Sequence, residues 1–331
     1  MKNLDNIDLI NSKNFDLIAL EIFKYQFQNN IIYNSYCEQL NVKVETINSI
    51  EKIPFLPISF FKTTKVLSTK NEIEKVFISS GTTGTESYHH ISDLKLYEKS
   101  IKICFDSHYG NSTNYAFLGV TPKPTEKPNS SLIYMVDYLI KNSVYNESSF
   151  CENADELNDK SLFFEKKNIK YIIYGLSYAL LDVLEKSSFS FKKAIIIETG
   201  GMKGKRKEIS KKELHKHLAS GFDTKKINSE YGMTELLSQS YSNSDLNFKT
   251  PKTKKLLIRD INDPFKLSNF GRGPINIIDL ANINSCSFIA TDDYGLIKQN
   301  GFKLLGRLEE SDLRGCNQTV SYTHLPLPTK A

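Results

Sequence analysis

A chain of 331 residues that is 40% hydrophobic and 24% charged can bury a large core, which excludes intrinsic disorder as its default state. Its 43 basic and 38 acidic side chains leave a net charge of +5, too balanced to direct it to nucleic acid. Five scattered cysteines (Cys37, Cys104, Cys151, Cys286 and Cys316) form no zinc cluster and, being odd in number, no disulfide framework.

A reducing cytoplasm fits that cysteine usage. MKNLDNIDLI carries acids and no apolar core, so it is not a signal peptide. No run approaches the roughly 18 apolar residues of a membrane span.

Residues 1–52 read as a helical packing segment, with Ile18, Phe23, Tyr25, Phe27, Ile31, Ile32 and Tyr33 recurring near helical period. Ile53–Leu67 (IPFLPISFFKTTKVL) contains two prolines, which forbid a regular helix through it. It is expected to run extended beneath the next strand, with Phe60 and Phe61 in the core. Phe77 and Ile78 end a buried strand. Ser79, Ser80, Gly81, Thr82, Thr83 and Gly84 follow, with little bulk and four hydroxyls. Such a loop can lay backbone N–H groups against an anion, because glycine permits close approach and positive φ. No lysine follows Gly84, so this is not a Walker loop. Taken alone it is equally a polar surface turn. His89 and His90 come next; adjacent side chains point to opposite sides, so at most one faces the loop. A helix capped by Ser92 or Asp93 is expected after them.

Asn114–Val120, Tyr171–Tyr174 and Ala194–Ile197 read as buried strands. They alternate with helices over 131–142 and from Gly175 to Leu184, the pattern of parallel βαβ units. Residues 146–160 read as polar and exposed, and Lys203–Lys212 as a solvated helix start. Ligands of such sheets bind at the carboxyl ends of strands. The glycines of FISSGTTG, of Glu198–Gly204 (ETGGMKG) and of Glu230–Glu235 (EYGMTE) would all fall there. Gly200 and Gly201 would let an adenine or acyl group lie flat on backbone, or they make a plain strand-to-helix turn. From about residue 245 to 306 the texture changes to short strands and tight turns.

SSGTTG, EYGMTE and, from Gly306 to Gly315, GRLEESDLRG resemble in kind and order the motifs of the adenylate-forming enzymes. The resemblance implies an α/β fold: the N-terminal domain of that superfamily, with parallel βαβ sheets and a small β-rich section. It implies ATP and Mg2+ as cofactors. The hydroxyls and amides of Ser79, Ser80, Gly81, Thr82, Thr83 and Gly84 would hold the triphosphate, with Thr82 and Thr83 foremost, because fixed donors stabilise charge building on leaving pyrophosphate. Tyr231 and Gly232 would lie at the adenine, Thr234 near the α phosphate, and Glu235 on magnesium, which takes one or two carboxylates with phosphate oxygens and water. Glu235 could instead be an acid in the first turn of a helix. ATDDYG (290–295) resembles the segment whose aspartate accepts both ribose hydroxyls; by register that is Asp293, with Asp292 as the alternative. Arg307 would approach ribose or phosphate, and Asp312 would mark a hinge.

IPFLPISFFK, SYHHISD, ETGGMKG, SEYGMTELLSQSY, LIRDINDPF, INIIDLA and GRLEESDLRGC together resemble the acyl-protein synthetases of bacterial bioluminescence, the LuxE type, over residues 53–316. That resemblance implies activation of a long-chain fatty acid to acyl-AMP. The acyl group would then pass to a cysteine near the C-terminus and on to a partner reductase or acyltransferase. Cys316 is the implied carrier; Cys286, within SCSFIA, is the rival but reads as a small hydrophobe in a strand. Coenzyme A as acceptor, and a non-catalytic nucleotide-binding subunit, are the alternatives. The expected organisation is a helical segment (1–52), a nucleotide-binding core (53–244), a β-rich section (245–306) and a hinge and carrier segment (307–319). The superfamily's large C-terminal domain, with its catalytic lysine, is expected to be absent or truncated. VSYTHLPLPTKA, from Val320, matches nothing before it and is expected to be a non-native tail.

Overall fold

The computed structural model describes residues 6–80, 84–187, 189–202 and 204–308. Its first half runs α1 (Phe15–Asn29), α2 (Ile31–Gln39), β1 (Leu56–Pro57), α3 (Phe60–Thr63), β2 (Lys75–Ile78), β3 (Tyr88–Ile91), α4 (Leu94–Tyr109), β4 (Ala116–Val120) and α5 (Ser131–Lys141). Then come β5 (Ser149–Phe150), α6 (Ala154–Lys166), β6 (Tyr171–Leu176), α7 (Ser177–Leu184), β7 (Ala194–Thr199), α8 (Lys211–Gly221) and β8 (Ile227–Tyr231). The rest is β9 (Ser240–Ser242), β10 (Phe248–Lys249), β11 (Lys254–Arg259), β12 (Leu267–Ser268), β13 (Gly271–Asp279), β14 (Phe288–Lys298) and β15 (Gly301–Arg307).

The helical period of the N-terminal stripe holds: Phe15, Ala19, Ile22, Phe23 and Gln26 are the buried face of α1. Asn30 starts α2 by accepting the Tyr33 N–H at 3.0 Å. Asp93, of the two expected caps, accepts the Leu96 N–H ahead of α4.

One sheet of 13 strands carries the molecule. Its parallel part has the order β5-β4-β6-β7-β8, and every residue of β4, β6 and β8 is buried. Strands covered on both faces read as unbroken apolar runs, which is how YIIY and AIII appear in the sequence. At β9 the sheet turns antiparallel and continues through β10, β15, β14, β13, β11 and β12. The 245–306 section is thus hydrogen-bonded to the parallel part through β9 and β10.

Three expectations are corrected. The strand before SSGTTG is not in the main sheet: among the described residues β2 pairs antiparallel with β3 alone, so the phosphate-loop candidate joins a hairpin instead of ending a parallel strand. Residues 53–67 do not run extended beneath it. β1 lies parallel to β14, and α3 follows Pro57, since the prolines constrain only the residues around them. Residues 146–160 are not simply exposed, because they include β5 and the start of α6, with Ala154 and Leu157 in a core cluster. Helical period at Ala154, Leu157, Ser161 and Phe164 is diluted there by charged neighbours. Among the described residues, no helix is long and apolar enough to cross a membrane.

Candidate functional site

Three contacts gather the sequence motifs at the β8 end of the parallel strands. The first joins Tyr231, the last residue of β8, to β14 and β15. Its hydroxyl donates to Asp293 Oδ2 at 2.7 Å, and Arg307 Nε donates to Asp293 Oδ1 at 3.2 Å. Asp293 and Arg307 are register partners across β14 and β15. Strand alternation turns Asp293 inward and Asp292 to solvent. Burial, then the adjoining Asp293 charge, raises the Tyr231 pKa, so the phenol keeps its proton and remains a donor. The buried Lys254 ammonium lies 4.9 Å from the centre of the Tyr231 ring, where the ring quadrupole attracts it, and donates to the Ser238 carbonyl at 3.0 Å.

The second contact joins Glu235 to the base of the hairpin loop. Glu235 is buried, and burial raises its pKa against a hydrogen bond from Ser87. Ser87 in turn closes the loop on Ser79, through Ser79 N–H to the Ser87 carbonyl at 3.0 Å and Ser87 N–H to Ser79 Oγ at 2.8 Å. No helix follows YGMTE, so the first-turn reading of Glu235 is set aside; residues 232–239 are irregular. Among the described residues no ion pair includes Glu235, and no cluster of His, Cys, Asp or Glu could hold a metal unaided. A buried carboxylate in no close ion pair, with the Lys62 and Arg307 charges acting on it from farther off, fits a hard cation that draws its other ligands from phosphate and water, as magnesium does.

The third contact is through His89, the histidine that faces inward. Its Nδ1 lies 2.8 Å from the Thr234 carbonyl and its Nε2 lies 3.1 Å from Asn282 Oδ1. The ring packs edge-on against Phe61, 5.7 Å between centroids. Burial lowers its pKa to about 4, so the imidazole is neutral and carries one N–H; with Nδ1 donating to the Thr234 carbonyl, Nε2 lies against Asn282 Oδ1 without a hydrogen bond.

Gly200 and Gly201 follow β7 with φ of +75° and +62°, two successive left-handed residues that side chains rarely adopt. They connect to the other motifs through Thr199, whose hydroxyl donates to Glu230 Oε2 at 2.5 Å. Burial raises the Glu230 carboxyl to about 7. One residue before Thr199, Glu198 is wholly buried and accepts from Lys211 Nζ at 2.8 and 2.5 Å, Ser177 Oγ at 2.7 Å, and Ser229 Oγ. Burial alone would raise Glu198; the Lys211 ammonium, ahead of the hydrogen bonds, outweighs it and holds the pKa at about 2. The basic run expected to be a solvated helix start therefore sends one lysine, at the first turn of α8, to a buried acid.

Ser80 and Gly84 are exposed at the two ends of the loop, Gly232 follows Tyr231, and Thr234 is half-buried beside His89. Gly81, Thr82, Thr83, Asp312 and Cys316 lie outside the described residues. Cys286 sits two residues ahead of β14, fully buried, with its thiol pushed up to about 12 by burial. Sequence reasoning missed Ser87, Glu230, Lys254, Asp279 and Asn282. Asp279 had a signal, an acid ending an apolar run (INIID), and Ser87 and Glu230 stand inside SYHHISD and EYGMTE without a role having been read for them; Lys254 and Asn282 had none, because each acts on a segment remote in sequence.

The family model for acyl-protein synthetase, LuxE, matches residues 8–105 and 125–324. The long-chain-fatty-acid–luciferin-component ligase of Vibrio harveyi is 21% identical over 325 residues, covering 90% of this chain and 85% of the relative. A 2-hydroxyisobutyryl-CoA ligase, solved in the postadenylation state with R3-HIB-AMP, superposes with a TM-score of 0.63 at 9% identity, covering 89% of this chain and 68% of its own. The O-succinylbenzoate coenzyme A synthetase of Bacillus subtilis, solved with ATP and magnesium, gives a TM-score of 0.51 at 14% identity, covering 77% and 53%. At such identities the likeness to solved structures is one of fold.

Proposed function

The chain belongs to the LuxE acyl-protein synthetase family, and from that premise we propose that it activates a long-chain fatty acid with Mg-ATP and passes the acyl group to a thiol. The observation that carries the reading is the meeting of Tyr231, Asp293 and Arg307, three residues from three motifs, in one hydrogen-bonded set. In this reading Asp293 faces the ribose, Arg307 the ribose or a phosphate, and Gly200, Gly201, Tyr231 and Gly232 the adenine. The loop from Ser79 to Gly84 holds the triphosphate, and Thr234 meets the α phosphate. Glu235 would hold magnesium, which supplies neutralisation of the phosphate charge.

The fatty carboxylate oxygen attacks the α phosphorus, and the bond to pyrophosphate breaks, giving acyl-AMP and pyrophosphate. The donors of Thr82, Thr83 and the loop amides stabilise the charge on the leaving group. A thiolate then attacks the acyl carbonyl; the thioester forms and AMP leaves with the electron pair. Cys316 is the proposed acceptor, and a partner reductase or acyltransferase takes the acyl group from it. Support comes from the other thiols: Cys37, Cys104, Cys151 and Cys286 are all buried. Burial raises every one of them, Cys104 to about 11 and Cys151 to about 12, leaving almost no thiolate near neutral pH.

The test is incubation with Mg-ATP and radiolabelled tetradecanoate, followed by a denaturing gel with and without neutral hydroxylamine. Label that hydroxylamine removes, kept in Cys286→Ser and lost in Cys316→Ser, is expected. Acid-dependent ATP–pyrophosphate exchange without protein label moves the acceptor to a free thiol such as coenzyme A. Neither signal across a panel of acids sinks the reading.

A further inference from the structure

We propose that Asn282 is a positioning residue that aims Glu235 at the phosphate-loop hairpin, an inference that rests on the reading of Glu235 above. Asn282 is buried in the turn between β13 and β14. Its Nδ2 donates to the Glu235 carbonyl at 2.8 Å and the Cys286 carbonyl at 2.9 Å, and its Oδ1 faces His89 Nε2 at 3.1 Å. Two carbonyls facing Nδ2 leave the amide one orientation. One side chain thus ties the YGMTE segment to the approach to β14, with the β3 arm of the hairpin packed against it.

Residues 232–239 pair with no strand and form no helix, so apart from the Leu236 N–H, which donates to the Met233 carbonyl at 3.1 Å, their buried backbone groups depend on side chains. Two consecutive carbonyls of that segment are held, Thr234 by His89 and Glu235 by Asn282. Holding two successive peptide planes fixes the backbone at Glu235, and with it the direction in which its carboxylate leaves the chain. That direction meets Ser87 and the loop closed on Ser79. Further along, Asp279 Oδ2 accepts the Leu237 and Ser238 N–H groups, both at 2.8 Å, so the same turn also anchors the end of the segment. Asn282 is itself secured: its N–H donates to the Asp279 carbonyl at 3.0 Å, and its own carbonyl accepts from Gln26 Nε2 of α1 at 3.1 Å.

The experiment uses full-length wild type, Asn282→Ala and Asn282→Leu. Amide hydrogen exchange is read on peptides covering 232–238 and, as a control, 171–176. Tetradecanoate-dependent ATP–pyrophosphate exchange is read against Mg2+ and against tetradecanoate. In Asn282→Ala, exchange at 232–238 is expected to rise about tenfold or more with 171–176 unchanged. Half-saturating Mg2+ should rise about 10- to 100-fold, the usual effect of removing a residue that orients a metal ligand. The tetradecanoate KM should stay within about twofold. Unchanged exchange at 232–238, or equal losses for Mg2+ and tetradecanoate, overturns the proposal. If Asn282→Ala does not fold, the same peptide in Asn282→Leu, which keeps the side-chain shape and loses the donor, decides. If the wild type shows no pyrophosphate exchange, the functional reading falls, and hydrogen exchange still decides whether Asn282 holds the segment.

Discussion

The Tyr231 hydroxyl donates to Asp293 across 62 residues of chain, at 2.7 Å. Tyr231 ends the last parallel strand, and Asp293 lies within the antiparallel part, so this one bond spans the change of direction in the sheet. It also presents the Asp293 carboxylate with one oxygen on a phenol and the other on Arg307.

Tyr231→Phe removes a donor from a buried carboxylate. Urea denaturation should show a loss of about 1.5–3 kcal/mol, the range for a hydrogen bond to a charged group. Asp293→Asn is expected to raise the KM for ATP about tenfold or more and to leave the tetradecanoate KM little changed. Equal changes in both would separate Asp293 from the nucleotide.

Glu235→Gln should divorce stability from activity. Burial disfavours the Glu235 charge and outweighs the Ser87 hydrogen bond and the Arg307 and Lys62 charges that favour it, so a neutral amide should leave the thermal midpoint unchanged or higher. Pyrophosphate exchange should fall about 100-fold or more, on the scale of losing a transition-state contact. A variant both less stable and fully active would contradict the assignment.

His89 and Glu230 give opposite pH slopes. His89 binds its extra proton below about 4 in the folded chain against an ordinary 6.5, so the unfolded state holds more protons between them and stability rises with pH there. Glu230 keeps its proton up to about 7 against an ordinary 4.5, so the folded state holds more protons and stability falls as pH rises through that window. Where the windows overlap the slopes, each at most ~1.4 kcal/mol per pH unit, oppose. Glu230→Gln should therefore gain stability from pH 5 to 6.5 more steeply than wild type, by roughly 1–2 kcal/mol over the interval. Identical urea midpoints profiles in both proteins would refute it.

Lys211→Met leaves the Glu198 carboxylate buried without its ammonium. The cost is expected to be about 1–2 kcal/mol, below the range for a pair buried on both sides, since Lys211 is partly exposed to screening water and Ser177, Ser229 and His215 remain beside the carboxylate. Adding Glu198→Gln should recover part of that loss in the same denaturation assay.

Native alkylation with iodoacetamide, followed by peptide mass mapping, should leave Cys37, Cys104, Cys151 and Cys286 largely unmodified on the timescale that labels Cys316. Each of those four is buried with a raised thiol pKa. Fast labelling of Cys286 would restore it as a carrier candidate.

Local pattern by itself determined a good deal. Unbroken apolar runs such as YIIY and AIII marked strands covered on both faces, and they are the middle of the parallel part. Helical period marked α1, and the turn offered as the alternative reading of Gly200 and Gly201 is there, at positive φ. The order of SSGTTG, EYGMTE and GRLEESDLRG pointed to the adenylate-forming enzymes, and the longer stretches from IPFLPISFFK to GRLEESDLRGC to the LuxE family, because loop chemistry is written in contiguous residues. Tertiary structure alone decided which strands pair and what the buried polar groups touch. Nothing local to β2 says that it pairs with β3 and stays out of the main sheet, since a strand's partners are set by hydrogen bonds to segments elsewhere. Nothing in INIIDLANINSCSF says that Asn282 reaches Glu235 and His89, 47 and 193 residues away. A buried amide is worth keeping only where its partners arrive, and they arrive only when the whole chain has folded.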